Sequence, residues 1–286
     1  MIPNKKFTNL SKDFWANIRS ISQQTGYTIR GGSQIKIPTL AEIKNAISNL
    51  KLSYSHLINP DDSLATLGTL IIDYYKYRAD ILNNKIEPML MDSEEAKLLY
   101  EKLLKKYNPT IPQPYNKQKG EKKAPAYFTC IVNMIIETCL NGIECNYNPR
   151  ELTTITKNDF PLRTLSRWVD GTFPTPVNPI AIWEIKEYYY TTTFGSRVAD
   201  GVYETLLDGM ELEELYEHEG VDIKHYLFID SHYTWWECGK AYLCRIIDML
   251  HMGYVDEVIY GKEVIERLPS IVKEWKKIYK KGKAIN

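Results

Sequence analysis

Two charged residues stand two apart on an otherwise apolar run, Pro179-Ile180-Ala181-Ile182-Trp183-Glu184-Ile185-Lys186-Glu187. The run has the length and composition of a buried strand. In a strand, alternate side chains share a face, which sets Glu184 beside Lys186 above Ile180 and Ile182. Ala181, Trp183 and Ile185 take the other face. Charges on a buried strand need partners, because unpaired burial costs several kcal/mol. Asp170 closes Leu165-Ser166-Arg167-Trp168-Val169-Asp170, directly before Gly171. If 162–170 and 180–187 are antiparallel neighbours, Asp170 comes close to Glu184. Two close carboxylates repel, and a divalent cation relieves that. Oxygen ligands select Mg²⁺, with Mn²⁺ as a substitute, over zinc. Such a cation activates a water and binds a phosphate, while Lys186 orients and helps deprotonate the water and offsets charge on the phosphorane.

Trp168-Val169-Asp170-Gly171 followed by Glu184-Ile185-Lys186 resembles the acid-then-Glu-x-Lys pattern of the PD-(D/E)xK nuclease superfamily, the core shared by most Type II restriction endonucleases. The resemblance covers about 130 to 260, and Val169 stands where the pattern has proline. It implies an α/β (α+β) core, a central mixed sheet flanked by helices. It implies Asp170, Glu184 and Lys186 as catalytic residues, with Asp170 and Glu184 on the metal. Glu137 matches the helix carboxylate that often joins such sites. The expected activity is Mg²⁺-dependent cleavage of double-stranded DNA at a short specific site. The expected assembly is a homodimer, because cutting both strands of a palindrome mirrors two-fold symmetry. Two other readings stay open. One is a phage-defence or repair nuclease without a fixed site. The other is a non-catalytic DNA-binding or interaction protein whose Glu184–Lys186 pair is structural.

Other residues carry weaker signals. Asp159 is a rival metal acid, though Pro161 suggests that it sits in a loop. Ser196 can cap the helix that follows the Glu-x-Lys strand, and Arg197 can add a phosphate contact; a plain cap with a solvent-facing arginine fits equally. Lys119, Lys122 and Lys123 sit in a basic loop suited to a phosphate backbone or to plain solvation. His225 and His232 flank a short strand that ends in Asp230, but together they match no zinc spacing. The cysteines read as small buried hydrophobes.

The elements that must position these residues follow from apolar periodicity. Helices are predicted from about Asp13, from Leu40 to about Lys51 behind the capping box Thr39-Leu40-Ala41-Glu42, within 62–90 up to Pro88, and from Ser93. Four prolines and a lysine run break the pattern over 107–125. Residues 1–125 are therefore assigned to a helical N-terminal region that grips DNA or a second copy, and 126–286 to the catalytic core. In the core, the pattern predicts a buried helix 126–140, strands 162–170 and 180–187, and a helix 197–217 with Val198, Val202, Leu206 and Met210 inside. Strand 226–230, helix 236–251, strand 254–260 and helix 262–281 follow. Strands alternating with helices indicate a partly parallel sheet.

Composition bounds the function classes. The 286 residues are 44% hydrophobic and 12% aromatic, which is globular and not disordered. Lys+Arg and Asp+Glu are both 36, which excludes a uniformly basic nucleic-acid binder. The charge is polarised, however. Residues 1–150 hold 20 basic and 14 acidic side chains, and 200–222 hold nine acids and no Lys or Arg. Such a chain can offer one basic surface to a polyanion, or its segments can pair with each other. No run approaches the roughly 20 apolar residues of a membrane span, and the start lacks the apolar core of a signal peptide. Five cysteines without a CxxC pair suit a reducing compartment. The expected location is the cytoplasm of a prokaryotic cell, with no membrane partner.

Overall fold

The computed structural model describes residues 1–29, 34–115, 125–190 and 195–285. They divide into two compact units. One comprises Met1–Ile2, Met89–Thr234 and Tyr254–Asn286, and the other Pro3–Pro88 and Trp235–Gly253.

The larger unit is mixed α/β. Its four-stranded sheet has the order β3 (Gly171–Phe173), β4 (Ala181–Glu187), β5 (Lys224–Asp230), β6 (Glu257–Tyr260). β3 runs antiparallel to β4, with Gly171 opposite Trp183. β4, β5 and β6 are parallel, with Glu184 opposite Leu227. Helix α6 (Ser196–Glu219) supplies the connection from β4 to β5 that a parallel pair requires. A separate hairpin joins β1 (Thr154–Lys157) to β2 (Phe160–Thr164).

Alternation along β4 builds two cores. Ala181 and Trp183 enter the larger one, with α4 (Ser93–Tyr107), α5 (Tyr127–Leu140) and α8 (Val264–Ile285). α5 is apolar around most of its circumference, as a helix enclosed by protein must be, and ten of its residues are buried. Trp183 stacks on Trp275 of α8 with ring centroids 5.5 Å apart. On the opposite face, Ile182 packs with Leu212 and Leu215 of α6. Ile180 precedes the strand and joins the larger core, not the face of Ile182.

The smaller unit is helical. α1 (Lys12–Thr25), α2 (Leu40–Asn49) and α3 (Thr66–Ile81) enclose Phe14, Trp15, Ile18, Ile43 and Tyr74. The capping box at Thr39 and Glu42 is formed as expected. α7 (Lys240–Met252) completes this unit, and its Asp248 takes Arg78 at 2.9 and 3.0 Å and the Tyr74 hydroxyl at 2.6 Å.

Several sequence expectations change. The strand expected over 162–170 is divided: 160–164 pairs in the hairpin, and 165–170 is irregular before β3. Leu165 and Val169 are both buried but lie four apart, in a segment that keeps no strand alternation between them. β3 is formed by residues 171–173, directly after Asp170 and before Pro174. Met210 is exposed; the buried stripe of α6 runs instead through Val198, Val202, Thr205, Asp208 and Leu212. The expected boundary at 125 also differs from the compact units. α4 shares the large core with α5, so the larger unit takes up the chain at Met89. Among the described residues, no helix is long and apolar enough to cross a membrane.

Candidate active site

Glu184 is fully buried on the α6 face of β4. Its Oε1 accepts from Arg167 Nη1 at 2.8 Å, and its Oε2 from Arg167 Nη2 at 3.2 Å and from Lys186 Nζ at 2.6 Å. Lys186 also meets Glu204 of α6 at 3.3 Å. Arg167 Nη1 continues to Asp208 at 2.6 Å. α6 approaches this cluster closely because residue 201 is glycine: a Cβ there would lie 2.9 Å from the Tyr188 hydroxyl and 3.2 Å from Lys186 Cδ.

Electrostatics follow from that packing. Burial opposes ionisation of Glu184, yet Lys186 and Arg167 hold its carboxyl below the usual range. Burial likewise opposes the charge on Lys186, but Glu184 and then Asp170 raise its pKa well above the ordinary value. Lys186 is therefore a fixed cation, able to orient a water and offset anionic charge but not to accept a proton. Asp208 is pushed up to about 7, first by burial and then by Glu184.

Asp170 lies immediately before β3. Its N–H donates to the Trp183 carbonyl at 3.1 Å, and its Oδ2 accepts from the Ile185 N–H at 2.8 Å. The acid is thus fixed to the residue between Glu184 and Lys186. Asp170 is exposed, and the protein crowded around it and then Glu184 raise its carboxyl above the ordinary range. Asp170 also lines a cavity of about 710 Å³ on the opposite, α5 side of β4, together with Ile185, Glu187, Thr129, Asn133 and Tyr147. Glu187 Oε2 accepts from Thr129 N and Oγ1 at 2.7 and 2.9 Å. Burial pushes Glu187 up to about 7.

A hard divalent cation needs oxygen lone pairs that are free to turn toward it. Asp170 Oδ1 has one. Both oxygens of Glu184 are held by cationic donors, so a metal on Glu184 must displace Arg167 or Lys186. No group of three or more His, Cys, Asp or Glu suited to a metal occurs among the described residues. Glu137 continues the Thr129–Asn133 stripe of α5, one turn further on. Its carboxylate accepts from the Thr110 N–H at 3.1 and 3.2 Å and from the Thr110 hydroxyl, which ties it to the segment after α4.

The remaining candidates are dispersed. Asp159 occupies the turn between β1 and β2 with φ +64°. Gly195 is the N-cap of α6, so Ser196 is the first helical residue and not the cap. Arg197 is exposed, and its carbonyl accepts from Tyr188. Lys119, Lys122 and Lys123 lie outside the described residues. His225 is buried with Nδ1 2.8 Å from the Tyr254 carbonyl. Asp230 accepts from the Met91 and Ser231 N–H groups and the Tyr189 hydroxyl. All five cysteines are unpaired, and burial pushes up the thiols of Cys130 and Cys244.

Sequence reasoning missed Arg167, Asp208, Glu187 and Asn133. Two of them left a trace. Asp208 is an acid on the apolar stripe of α6, and Glu187 is a charge on the apolar face of β4. Arg167 left none, since its segment is neither helix nor strand and nothing in its pattern tells where a side chain points.

No curated protein and no solved structure matches the chain. Residues 1–85 match a family described as a domain of unknown function (DUF7690). Residues 91–275 match a second, described as a domain of unknown function (DUF7687), and that span includes β4, both of its faces and Asp170. It covers more than half of the sequence, and the chain belongs to the DUF7687 family.

Proposed function

We propose that this protein hydrolyses phosphodiester bonds of double-stranded DNA with a divalent cation, Mg²⁺ or Mn²⁺, as a restriction endonuclease of the PD-(D/E)xK type acting as a homodimer. The observation that carries the reading is the hydrogen bond from Ile185 N–H to Asp170 Oδ2, which sets an acid beside the Glu-x-Lys strand. The order of elements is compatible with it: a buried helix, an antiparallel strand pair, a long helix, then a parallel strand.

In this reading Lys186, held as a cation by Glu184, stabilises the negative charge that grows on the phosphorane. Arg167 keeps Glu184 ionised and in place. Asp170 presents Oδ1 while its other oxygen stays fixed to β4. The cation, when bound, lowers the pKa of a water and neutralises a phosphate oxygen.

Digestion of phage DNA with Mg²⁺ and with EDTA tests the reading. A ladder of defined fragments in Mg²⁺ and none in EDTA is the expected result. A metal-dependent smear points to the same chemistry without a fixed site. Intact DNA under all conditions overturns the proposal. It favours the second reading, a structural ion cluster, for which the complete pairing of Glu184 speaks.

A further inference from the structure

β4 has two unlike faces. On the α6 side, the cations Arg167 and Lys186 are already paired with Glu184. On the α5 side, acidic and amide oxygens face a cavity whose described lining contains no Lys, Arg or His. Two of those oxygens are buried with no hydrogen-bond donor among the described residues, and a third, on Asp170, is exposed. Asn133 is 3% exposed, lines the cavity, and its Oδ1 has no partner. Glu187 Oε1 is buried and has none either. Asp170 has its Oδ1 free, because only Oδ2 is held by β4.

These oxygens are placed by rigid elements. Thr129, at the start of α5, anchors Glu187 through Oε2 and leaves Oε1 without a donor. Asn133 follows Thr129 by four residues and so shares its helix face. Asp170 is fixed to Ile185 at the sheet edge. Buried polar atoms are normally satisfied, and those that are not call for an unseen partner. A partner donating hydrogen bonds alone would leave Glu187 without a counter-charge, on a face whose described lining holds no cation. A donor set made only of carboxylate and amide oxygens suits a hard divalent ion and not zinc or copper.

We propose that Asp170, Glu187 and Asn133 form a binding site for a hard divalent cation of the Mg²⁺/Mn²⁺ class on the α5 face of β4. The site stands apart from the nuclease reading, because Glu184 and Lys186 occupy the other face of β4, and its occupancy is measurable without DNA. The ion lies on the side of β4 opposite the Arg167–Glu184 pair, so that pair stays intact when the metal binds. Asp170 is the residue common to both surroundings.

The full chain, stripped with chelator, is titrated with MnCl₂ and followed by electron paramagnetic resonance of free Mn²⁺. Thermal unfolding in MgCl₂ is run in parallel. One Mn²⁺ per chain and a rise in Tm with either ion are expected, since a ligand of the folded state stabilises it by mass action. Glu187→Gln and Asn133→Ala each weaken Mn²⁺ binding at least tenfold. Asn133→Asp, which keeps an oxygen at the same place, restores it. Glu184→Gln leaves binding within about twofold, and the unfolding curve in chelator reports whether each variant folds. If Glu187→Gln does not fold, Asn133→Ala and Asn133→Asp decide. Absence of Mn²⁺ binding overturns the site. So does binding unchanged in both Glu187→Gln and Asn133→Ala, or binding lost only in Glu184→Gln. Mn²⁺ bound as described with DNA left uncut overturns the nuclease reading alone. Metal-dependent cutting with Glu187→Gln and Asn133→Ala at wild-type affinity overturns the site alone.

Discussion

Arg167 holds Glu184 with both terminal guanidinium nitrogens, at 2.8 and 3.2 Å, from a segment that belongs to no strand or helix. Glu184 is fully buried and Arg167 only partly, so the arginine reaches in from the surface to a carboxylate that water does not touch. Removing it leaves Glu184 with Lys186 alone and strands Asp208. Arg167→Ala is expected to destabilise the fold by about 3 kcal/mol, the lower end for a broken buried pair because Arg167 retains some hydration. Urea unfolding measures this directly; a loss under about 1 kcal/mol shows that the pair contributes little.

Lys186→Ala is expected to lower the cleavage rate by on the order of 10²–10³ while leaving DNA affinity nearly unchanged. A cation that offsets charge on the phosphorane acts in the transition state and not in the ground state. Single-turnover cleavage and a filter-binding curve separate the two. Near wild-type cutting removes Lys186 from the chemistry.

DNA binding is expected to weaken steeply with salt even though the chain has no net charge. Each neutralised phosphate contributes a slope of about −0.9 in log K against log salt. Combined alanine replacements at Lys119, Lys122 and Lys123 should make that slope shallower by about 0.9 for every phosphate that these lysines neutralise. An unchanged slope shows that this segment does not meet DNA.

Asp230 gives a pH dependence of stability. Burial pushes its carboxyl from 3.8 up to about 7. The folded state therefore keeps a proton that the unfolded chain releases. That contribution is present in full below about 4 and is lost as the pH rises to about 7. Asp230→Asn keeps an oxygen for the Met91 and Ser231 N–H groups and a nitrogen for the Tyr189 hydroxyl. It should flatten the fall in stability between pH 5 and pH 8, with its largest relative benefit at pH 8. Parallel unfolding curves at both pH values, with the same difference in variant and parent, dismiss the effect.

Gly171→Ala tests how closely β3 lies on β4. A Cβ at that position would stand 2.0 Å from the Trp183 ring, and Trp183 is fully buried against Trp275. With no space to yield, the variant should lose about 3 kcal/mol and shift Asp170, its neighbour. A variant with parental Tm shows that the edge strand moves freely.

Much of the frame was readable in the sequence because it is written in period and punctuation. Thr39 and Glu42 announced α2, the apolar run 126–140 announced α5, and alternation along 180–187 placed Glu184 and Lys186 on one face. Segment 165–170 was not readable. Its apolar residues Leu165, Trp168 and Val169 have helical spacing, yet the segment is neither helix nor strand, and nothing in that pattern tells that Arg167 meets Glu184. The hairpin 154–164 was missed because its strands carry few apolar residues and gain order from pairing with each other. The carboxylate of Glu187 was legible as a charge but not as a cavity wall, since that depends on α5 arriving with Thr129 and Asn133 above it.

The two unlike surfaces of β4 impose a parity rule on how this family can change. Side chains alternate with period two, so a single residue inserted or deleted within 181–187 exchanges the ion-pair cluster with the cavity and turns Trp183 away from Trp275. Changes of two preserve the assignment of faces, and changes of one invert it. Length variation among relatives should therefore collect in the connection 174–180, where no alternation is at stake.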